Sequence, residues 1–182
     1  MTQIVDTCWG KREIHDKPFW HLISENGFFY NNVRVAKGAL LSVSAGIEAE
    51  PHIETSQTLY SMYRSNDQKE IVFERIRKQY FPDLPSRLKT LYVFDDYQLV
   101  ERALSEWFPT EIKIVHECRI LVSNITHKAD TFWLNSNADQ WEICAKNYWS
   151  GVMSPKSFPE VIVHGALYFP GWESFPAAYP AV

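Results

Sequence analysis

The sequence predicts an α+β fold in which about three helices lie among the strands of a mixed, largely antiparallel sheet. Three segments have helical periodicity, and the strand segments between them lack the regular strand–helix–strand alternation that builds parallel sheets. The length of 182 residues is typical of one domain. We therefore expect a single domain over residues 1–182, with residues 170–182 as a tail rich in proline and aromatic residues.

The predicted elements follow one another along the chain. They are a strand over 17–24, short extended pieces over 28–44, an irregular stretch over 45–65, a helix within 67–85, a strand within 86–96, a helix over 97–108, an alternating strand over 111–122, a strand over 129–135 that can pair with it, a helix within 138–151 and a last strand over 160–169.

The helices carry signals at their ends. Asp67 is placed to cap the first helix, which two prolines at 82 and 85 end, and an aspartate pair at 95–96 precedes the second. Gly151 suits the end of the third helix. On the first helix the spacing predicts one buried face, formed by Ile71, Val72, Ile76, Gln79 and Tyr80.

Composition bounds the class of protein. Aromatic residues make up 15% of the chain, which supplies rings for a core or for a pocket that binds planar ligands. The net charge of −4 provides no overall attraction to nucleic acid or to anionic membranes. No apolar run reaches the roughly 18 residues that a membrane span needs, the N-terminal segment lacks the apolar part of a secretory signal, and the three cysteines are widely spaced. We expect a soluble cytoplasmic protein with reduced thiols.

Local motifs of catalysis are absent. The chain contains no GxGxxG, GxxxxGK[ST], HExxH, GxSxG or CxxC, and its six histidines lack the spacing of metal ligands, so we expect no metal site. The candidate site residues are instead polar side chains next to apolar segments, namely His21, Ser86, Arg87, Tyr92 and Glu160. Each also has a structural interpretation: a core histidine or tyrosine, a helix stop, a carboxylate anchor that pairs with Asp83 or Glu74, or a solvated strand start.

The order of these residues resembles a known layout. A histidine lies in an early aromatic strand, "PFWHLIS"; a tyrosine lies in a middle strand, "LKTLYVFDD", which leads into the helix "LVERALSEW"; a glutamate heads a late strand, "FPEVIVHG". This is similar to the His-Tyr-Glu layout of the ADP-ribosyltransferase-like superfamily and, within it, to an uncharacterised bacterial and phage family. The resemblance covers residues 17–169. It implies a split sheet, NAD as co-substrate and a toxin, a defence factor or a phage effector as the biological setting.

The resemblance also implies a role for each residue. His21 corresponds to the histidine that hydrogen-bonds the ribose of NAD, and Tyr92 to the ring that stacks on nicotinamide. Glu160 corresponds to the glutamate that hydrogen-bonds the 2′-hydroxyl of the nicotinamide ribose and stabilises the positive charge that develops as the bond to nicotinamide breaks. Arg87, next to Ser86, is placed to clamp the pyrophosphate of NAD. The acceptor of ADP-ribose is then a protein, a nucleic acid or water.

Two features refine this expectation. Phe158 stands where arginine-modifying enzymes of this superfamily carry a second acidic or amide residue, which disfavours arginine as the acceptor. Pro159 restricts the backbone just before Glu160, which suits a carboxylate that must be held still.

Two other functions stay open at the level of sequence. One is a catalytically inactive module with the same fold that binds a nucleotide or a protein partner, for which the aromatic tail (Trp172, Phe175 and Tyr179) offers a surface. The other is an unrelated hydrolase or transferase with a different site.

Overall fold

The computed structural model describes residues 1–24, 27–42, 64 and 67–174, and these residues have an α+β fold with antiparallel sheets, which confirms the predicted class. The strands are β1 Thr2–Thr7, β2 Gly10–His15, β3 Phe19–Ser24, β4 Ala39–Leu41, β5 Leu91–Val93, β6 Lys113–Ile120, β7 Ile125–Asp130, β8 Pro159–His164 and β9 Ala166–Tyr168. The α-helices are α1 Gly27–Val35, α2 Gln68–Tyr80, α3 Tyr97–Trp107 and α4 Trp141–Trp149. Short 3₁₀ helices span Arg87–Lys89, Thr131–Leu134, Ala138–Gln140 and Trp172–Ser174.

The strands form three sheets. One is the β1–β2 hairpin, the second has the order β3-β6-β9-β4, and the third has the order β5-β8-β7. The pairs β3–β6, β6–β9, β9–β4 and β7–β8 are all antiparallel.

The chain divides into two compact units, each assembled from separate stretches. The first comprises Met1–Leu41, Val93–Asn124 and Ala166–Val182, and the second comprises Ser42–Tyr92 and Ile125–Gly165. The second unit contains most of the residues singled out from the sequence.

In the four-stranded sheet of the first unit, β6 follows the predicted alternation near its C-terminal end. In β6, Cys118 and Ile120 are buried, Arg119 between them is half-buried and Glu117 before them is exposed, as the period of two residues indicates. Ile112 and Val122, which the pattern places on the same side as Cys118 and Ile120, are exposed. The β1–β2 hairpin, which no sequence pattern predicted, contributes Val5 and Ile14 to a small cluster with Leu121 and Ala166.

The stretch 28–44, predicted to contain short extended pieces, contains one, β4, but its first part forms α1 instead, and for that part the prediction was wrong. Tyr30 and Val33 are both buried, whereas Asn31 and Asn32 between them are exposed. Burial at a spacing of three residues is a helical pattern, and it outweighs the strand preference of the aromatic and β-branched residues here.

The turn that follows α1 depends on Gly38. Its φ of +86° lies in the left-handed region, and its backbone N–H donates to the carbonyl of Val33 at 2.7 Å, closing the end of the helix. A Cβ at this position would lie 2.7 Å from Cδ1 of Trp172 and 2.9 Å from its Cβ and Cγ. Glycine is therefore required both for the backbone conformation and for the packing of the Trp172 ring.

We expect Gly38→Ala to lower the free energy of unfolding by about 2–3 kcal/mol, since it combines left-handed strain with overpacking. Gly171→Ala is a matched control: its φ is +71°, but no atom of the described residues lies within 4 Å of the added methyl group, so we expect a loss of only about 1 kcal/mol. Urea denaturation of both variants measures the difference. Equal losses would show that Trp172 does not restrict position 38.

The second unit confirms the predicted helix ends. The Asp67 carboxylate accepts the N–H of Lys69 at 2.9 Å and caps α2. After α4, Gly151 has a φ of +71°, and its N–H donates to the carbonyl of Tyr148 at 3.1 Å, which is the expected glycine stop.

The three cysteines are free, with Cys8 exposed and the other two buried.

The predicted buried face of α2 needs correction. Ile71 and Tyr80 are exposed, whereas Glu70, Phe73 and Ile76 are buried. The core of the second unit gathers α2, α4, β7 and β8, through Phe73, Ile76, Ala129, Cys144, Ala145, Tyr148, Trp149 and Ile162.

Three strand predictions also differ from the structure. Residues 129–135 do not form a strand beside β6: β7 ends at Asp130 and pairs with β8, and Asp130 then caps a 3₁₀ helix. The predicted strand 160–169 is two strands in different sheets, because Gly165 breaks it at a φ of +133°. Within 86–96, a 3₁₀ helix precedes the short strand β5.

The tail begins with the 3₁₀ helix Trp172–Ser174, and residues 175–182 lie outside the described part of the chain, as does most of the predicted irregular stretch 45–65. In the part that is described, no helix combines the length and the apolar character needed to cross a membrane.

Candidate functional site

Glu160 is held at the start of β8, on the strand that lies between β5 and β7. It is the second residue of the strand, opposite Ala129 of β7, and only 5% of its surface is exposed. A carboxylate in so enclosed a position requires partners, because burying an isolated charge is unfavourable by several kcal/mol.

The partners of Glu160 are Arg87 and Tyr148, and both bind the same oxygen. Arg87 Nη1 forms an ion pair with Oε1, and the Tyr148 hydroxyl donates to Oε1 at 2.8 Å. None of the described residues hydrogen-bonds Oε2. Oε2 is also not completely buried, so it keeps access to solvent. The protein thus immobilises one carboxylate oxygen and leaves the other to interact with something else.

Arg87 is the hub of this arrangement. It begins the 3₁₀ helix Arg87–Lys89, is 4% exposed, and donates through Nε to Glu70 Oε2 at 3.3 Å. Its guanidinium carbon lies 5.5 Å from the centre of the Tyr92 ring and 5.0 Å from that of Tyr148, within the range of cation–π attraction. Two carboxyl groups, from α2 and β8, therefore share one guanidinium enclosed by aromatic rings.

Tyr148 supplies the neutral donor of the group. Burial raises the pKa of its hydroxyl well above the ordinary value; the Arg87 charge opposes this shift, and Glu160 adds to it. The hydroxyl is therefore protonated at neutral pH and can donate to the carboxylate. We call these five residues (Glu70, Arg87, Tyr92, Tyr148 and Glu160) the Glu160 cluster.

The structure brings together three of the residues predicted from the sequence. Arg87, Tyr92 and Glu160 all belong to the Glu160 cluster, and the Tyr92 hydroxyl also donates to the backbone carbonyl of Arg87. Ser86 is next to the cluster: its hydroxyl donates to Glu74 Oε2 at 3.0 Å and accepts the N–H of Leu88 at 3.4 Å, so it caps the 3₁₀ helix. It starts a helix and does not stop one.

Arg87 does pair with carboxylates, as the structural interpretation of the sequence has it, but its partners are not Asp83 and Glu74. Arg87 pairs with Glu70 and Glu160, whereas Glu74 binds Arg77 and Ser86. Asp83 is exposed. Sequence proximity was misleading because the carboxylates that reach Arg87 are 17 and 73 positions away.

His21 belongs to the first unit. It lies in β3 directly opposite His116 of β6, and its ring is 6.3 Å from that of Phe169. Nε2 of His116 is 3.4 Å from the Tyr30 hydroxyl, and burial lowers the pKa of His116, which keeps this imidazole neutral at pH 7. The role of His21 as a ribose ligand stays a prediction.

Glu70 and Tyr148 were missed as members of the cluster. Glu70 shares the buried face of α2 with Phe73 and Ile76, and an acidic residue at such a position is a signal that could have been noticed. Tyr148 was interpreted as core, which is correct for its ring and incomplete for its hydroxyl.

Asp130 was also missed, and it shapes the segment that leads into Glu160. Its side chain is fully buried and accepts the backbone N–H groups of Ser154 at 2.7 Å, Phe158 at 2.8 Å and Phe132 at 3.0 Å. Thr131 adds a hydrogen bond from its hydroxyl to the carbonyl of Phe158 at 2.7 Å. The backbone on the N-terminal side of Glu160 is therefore fixed by side chains at the end of β7.

Within the described ranges, no three His, Cys, Asp or Glu side chains cluster as a metal ion would require. A family model described as Protein of unknown function (DUF2441) matches residues 25–169, a range that contains the whole Glu160 cluster and begins after His21. A search of curated proteins finds no match.

Proposed function

The chain belongs to the family DUF2441, whose function is unknown, and we propose that it acts as an NAD-dependent ADP-ribosyltransferase-like enzyme. In this proposal Glu160 is the catalytic residue. The enzyme cleaves the bond between nicotinamide and ribose and transfers ADP-ribose to a macromolecular acceptor, either protein or nucleic acid, or to water.

The observation that carries the proposal is the unequal environment of the two Glu160 oxygens. Oε1 is bound by Arg87 and Tyr148, while Oε2 has no hydrogen bond from the described residues. A carboxylate that is preorganised on one side and available on the other suits electrostatic catalysis, because the group does not have to reorient during the reaction.

The chemistry explains why such a carboxylate is useful. When the C1′–N bond breaks, nicotinamide leaves with the bonding electrons as a neutral molecule, and positive charge develops on the ribose carbon. Oε2 can accept a hydrogen bond from the 2′-hydroxyl and stabilise that charge. The acceptor then forms a new bond to C1′ and loses a proton, which a carboxylate can orient or take up.

The neighbouring side chains are compatible with NAD as the co-substrate. Tyr92 lies in β5, the strand next to β8, and offers a ring for stacking on nicotinamide. Arg87 is committed to Glu70 and Glu160 in this arrangement, so its first role is to hold the carboxylate. Its predicted contact with pyrophosphate, and the contact of His21 with ribose, belong to the proposal.

Glu160→Gln tests the proposed function. We expect the rate of nicotinamide release from NAD to fall by about 100-fold, since removal of one preorganised electrostatic group typically costs that much. Release is measured by chromatography with labelled NAD, with and without protein and nucleic-acid acceptors. Glu142→Gln is the matched control, because Glu142 is on the surface with 63% of its side chain exposed, and its rate should equal that of the wild type.

Two results would contradict the proposal. The enzyme function fails if the wild type releases no nicotinamide with any acceptor. The site assignment fails if release persists at the wild-type rate in Glu160→Gln.

One observation favours a second candidate function, a catalytically inactive module that binds a nucleotide or a protein. Glu160 is almost enclosed and its charge is compensated by Arg87, an arrangement that also suits a purely structural ion pair. Calorimetry separates the candidates: NAD binding without nicotinamide release would support the inactive module.

A further inference from the structure

We propose that Tyr148 is a positioning residue for Glu160, one that fixes the carboxylate through Oε1 so that Oε2 is directed to the reacting ribose. This inference rests on the proposed function and extends it, because it assigns a role to a helix residue that makes no contact with the reacting atoms.

The hydrogen bonds around the Tyr148 hydroxyl leave it one way to donate. Arg87 Nη1 donates to the hydroxyl oxygen at 2.6 Å. A tyrosine hydroxyl carries a single proton, so that proton is free for Glu160 Oε1, 2.8 Å away. The same nitrogen of Arg87 also binds Oε1, so the guanidinium, the hydroxyl and the carboxylate form a closed triangle.

The ring of Tyr148 cannot swing away from this triangle. It is fully buried and packs edge-on against Phe73 at 5.8 Å and against Trp149 at 4.9 Å, while His127 lies 6.1 Å away. These contacts come from α2, α4 and β7, so the position of the hydroxyl is set by the core of the second unit.

Arg87 alone cannot define the orientation of Glu160 as sharply. Its guanidinium is divided between Glu70 and Glu160, and a small rotation toward Glu70 would change its contact with Oε1. The fixed hydroxyl removes this freedom. Arg87 therefore compensates the charge of the Glu160 carboxylate, and Tyr148 fixes its orientation.

Tyr148→Phe is the informative variant, because it removes one oxygen and keeps the ring in its packing. We expect kcat for nicotinamide release to fall by about 10- to 100-fold, the range for loss of a hydrogen bond to a charged group. The KM for NAD should stay within about twofold, because the lost bond orients a reacting group and does not bind the substrate. Tyr80→Phe, on the exposed surface of α2, is the control and should match the wild type.

A second readout does not depend on activity. Crystal structures of the wild type and of Tyr148→Phe, without ligand, should show that the Glu160 carboxylate rotates or takes up two conformations in the variant. A carboxylate that stays in place, or a kcat within twofold of wild type, overturns the positioning role while leaving the proposed function intact. If the wild type releases no nicotinamide, the proposed function fails, and the two structures still decide whether Tyr148 positions Glu160.

Discussion

Arg87→Met is expected to lower the free energy of unfolding by about 3–5 kcal/mol, the loss that follows when one partner of a buried ion pair is removed. Methionine fills much of the volume of arginine but cannot compensate the carboxyl groups of Glu70 and Glu160, two residues that are 3% and 5% exposed. Urea denaturation followed by circular dichroism measures the change.

Two further variants define the origin of this effect. Arg102→Met removes a guanidinium that is 39% exposed and paired with Glu106 on α3, and it should cost no more than about 1 kcal/mol. Adding Glu160→Gln to Arg87→Met should restore part of the lost stability, because one uncompensated carboxylate is then gone. A loss below about 1 kcal/mol in Arg87→Met would contradict the buried-charge explanation.

Asp130→Ala is expected to cost about 3–5 kcal/mol, because three backbone N–H groups lose a charged acceptor inside the protein. The loss acts on the segment Ser154–Phe158, so the entry to β8 should also become disordered. Hydrogen exchange of the N–H groups of Ser154 and Phe158 measures this local effect. Asp83→Ala, which changes an exposed aspartate, is the control and should leave both quantities unchanged.

The Asp130 contribution depends on pH in a defined direction. Burial acts to raise the pKa of its carboxyl, but the N–H groups of Phe158, Ser154 and Phe132 outweigh it and lower the pKa below the ordinary value of 3.8. A carboxyl group whose pKa is lower in the folded than in the unfolded protein stabilises the fold at pH values above its unfolded-state pKa. This stabilisation is lost as the pH falls through its folded-state pKa. The difference between wild type and Asp130→Ala should therefore be constant near pH 7 and shrink below about pH 4. A difference that does not change with pH would argue against an ionised Asp130.

Local signals in the sequence were reliable where one side chain determines the geometry. Asp67 and Gly151 mark helix ends because a carboxylate can satisfy free N–H groups and because glycine adopts a positive φ without strain. These features depend on neighbours within a few residues, which is why the sequence alone predicts them.

The site could be predicted only in part. Glu160 and Arg87 were recognisable as polar residues next to apolar segments, but their mutual contact spans 73 positions and depends on how β8 and the 3₁₀ helix Arg87–Lys89 pack. Glu70 was overlooked because Ile71 and Val72 beside it suggested a different buried face for α2. A periodic pattern defines the buried face of a helix only to within one or two residues. A shift of that size decides whether the side chain of Glu70 contacts Arg87 or faces solvent.

The position of β9 in the sheet has a consequence for folding during synthesis. In the sheet β3-β6-β9-β4, both β6 and β4 hydrogen-bond to β9, which is the last of the four strands to leave the ribosome. A nascent chain that ends at Gly165 holds the residues of the second unit, while the edge of β6 still awaits its partner. Unpaired strand edges associate readily with other chains. The sheet therefore closes only when β9 is available, and until then the edges of β6 and β4 that β9 covers are open to association with other chains.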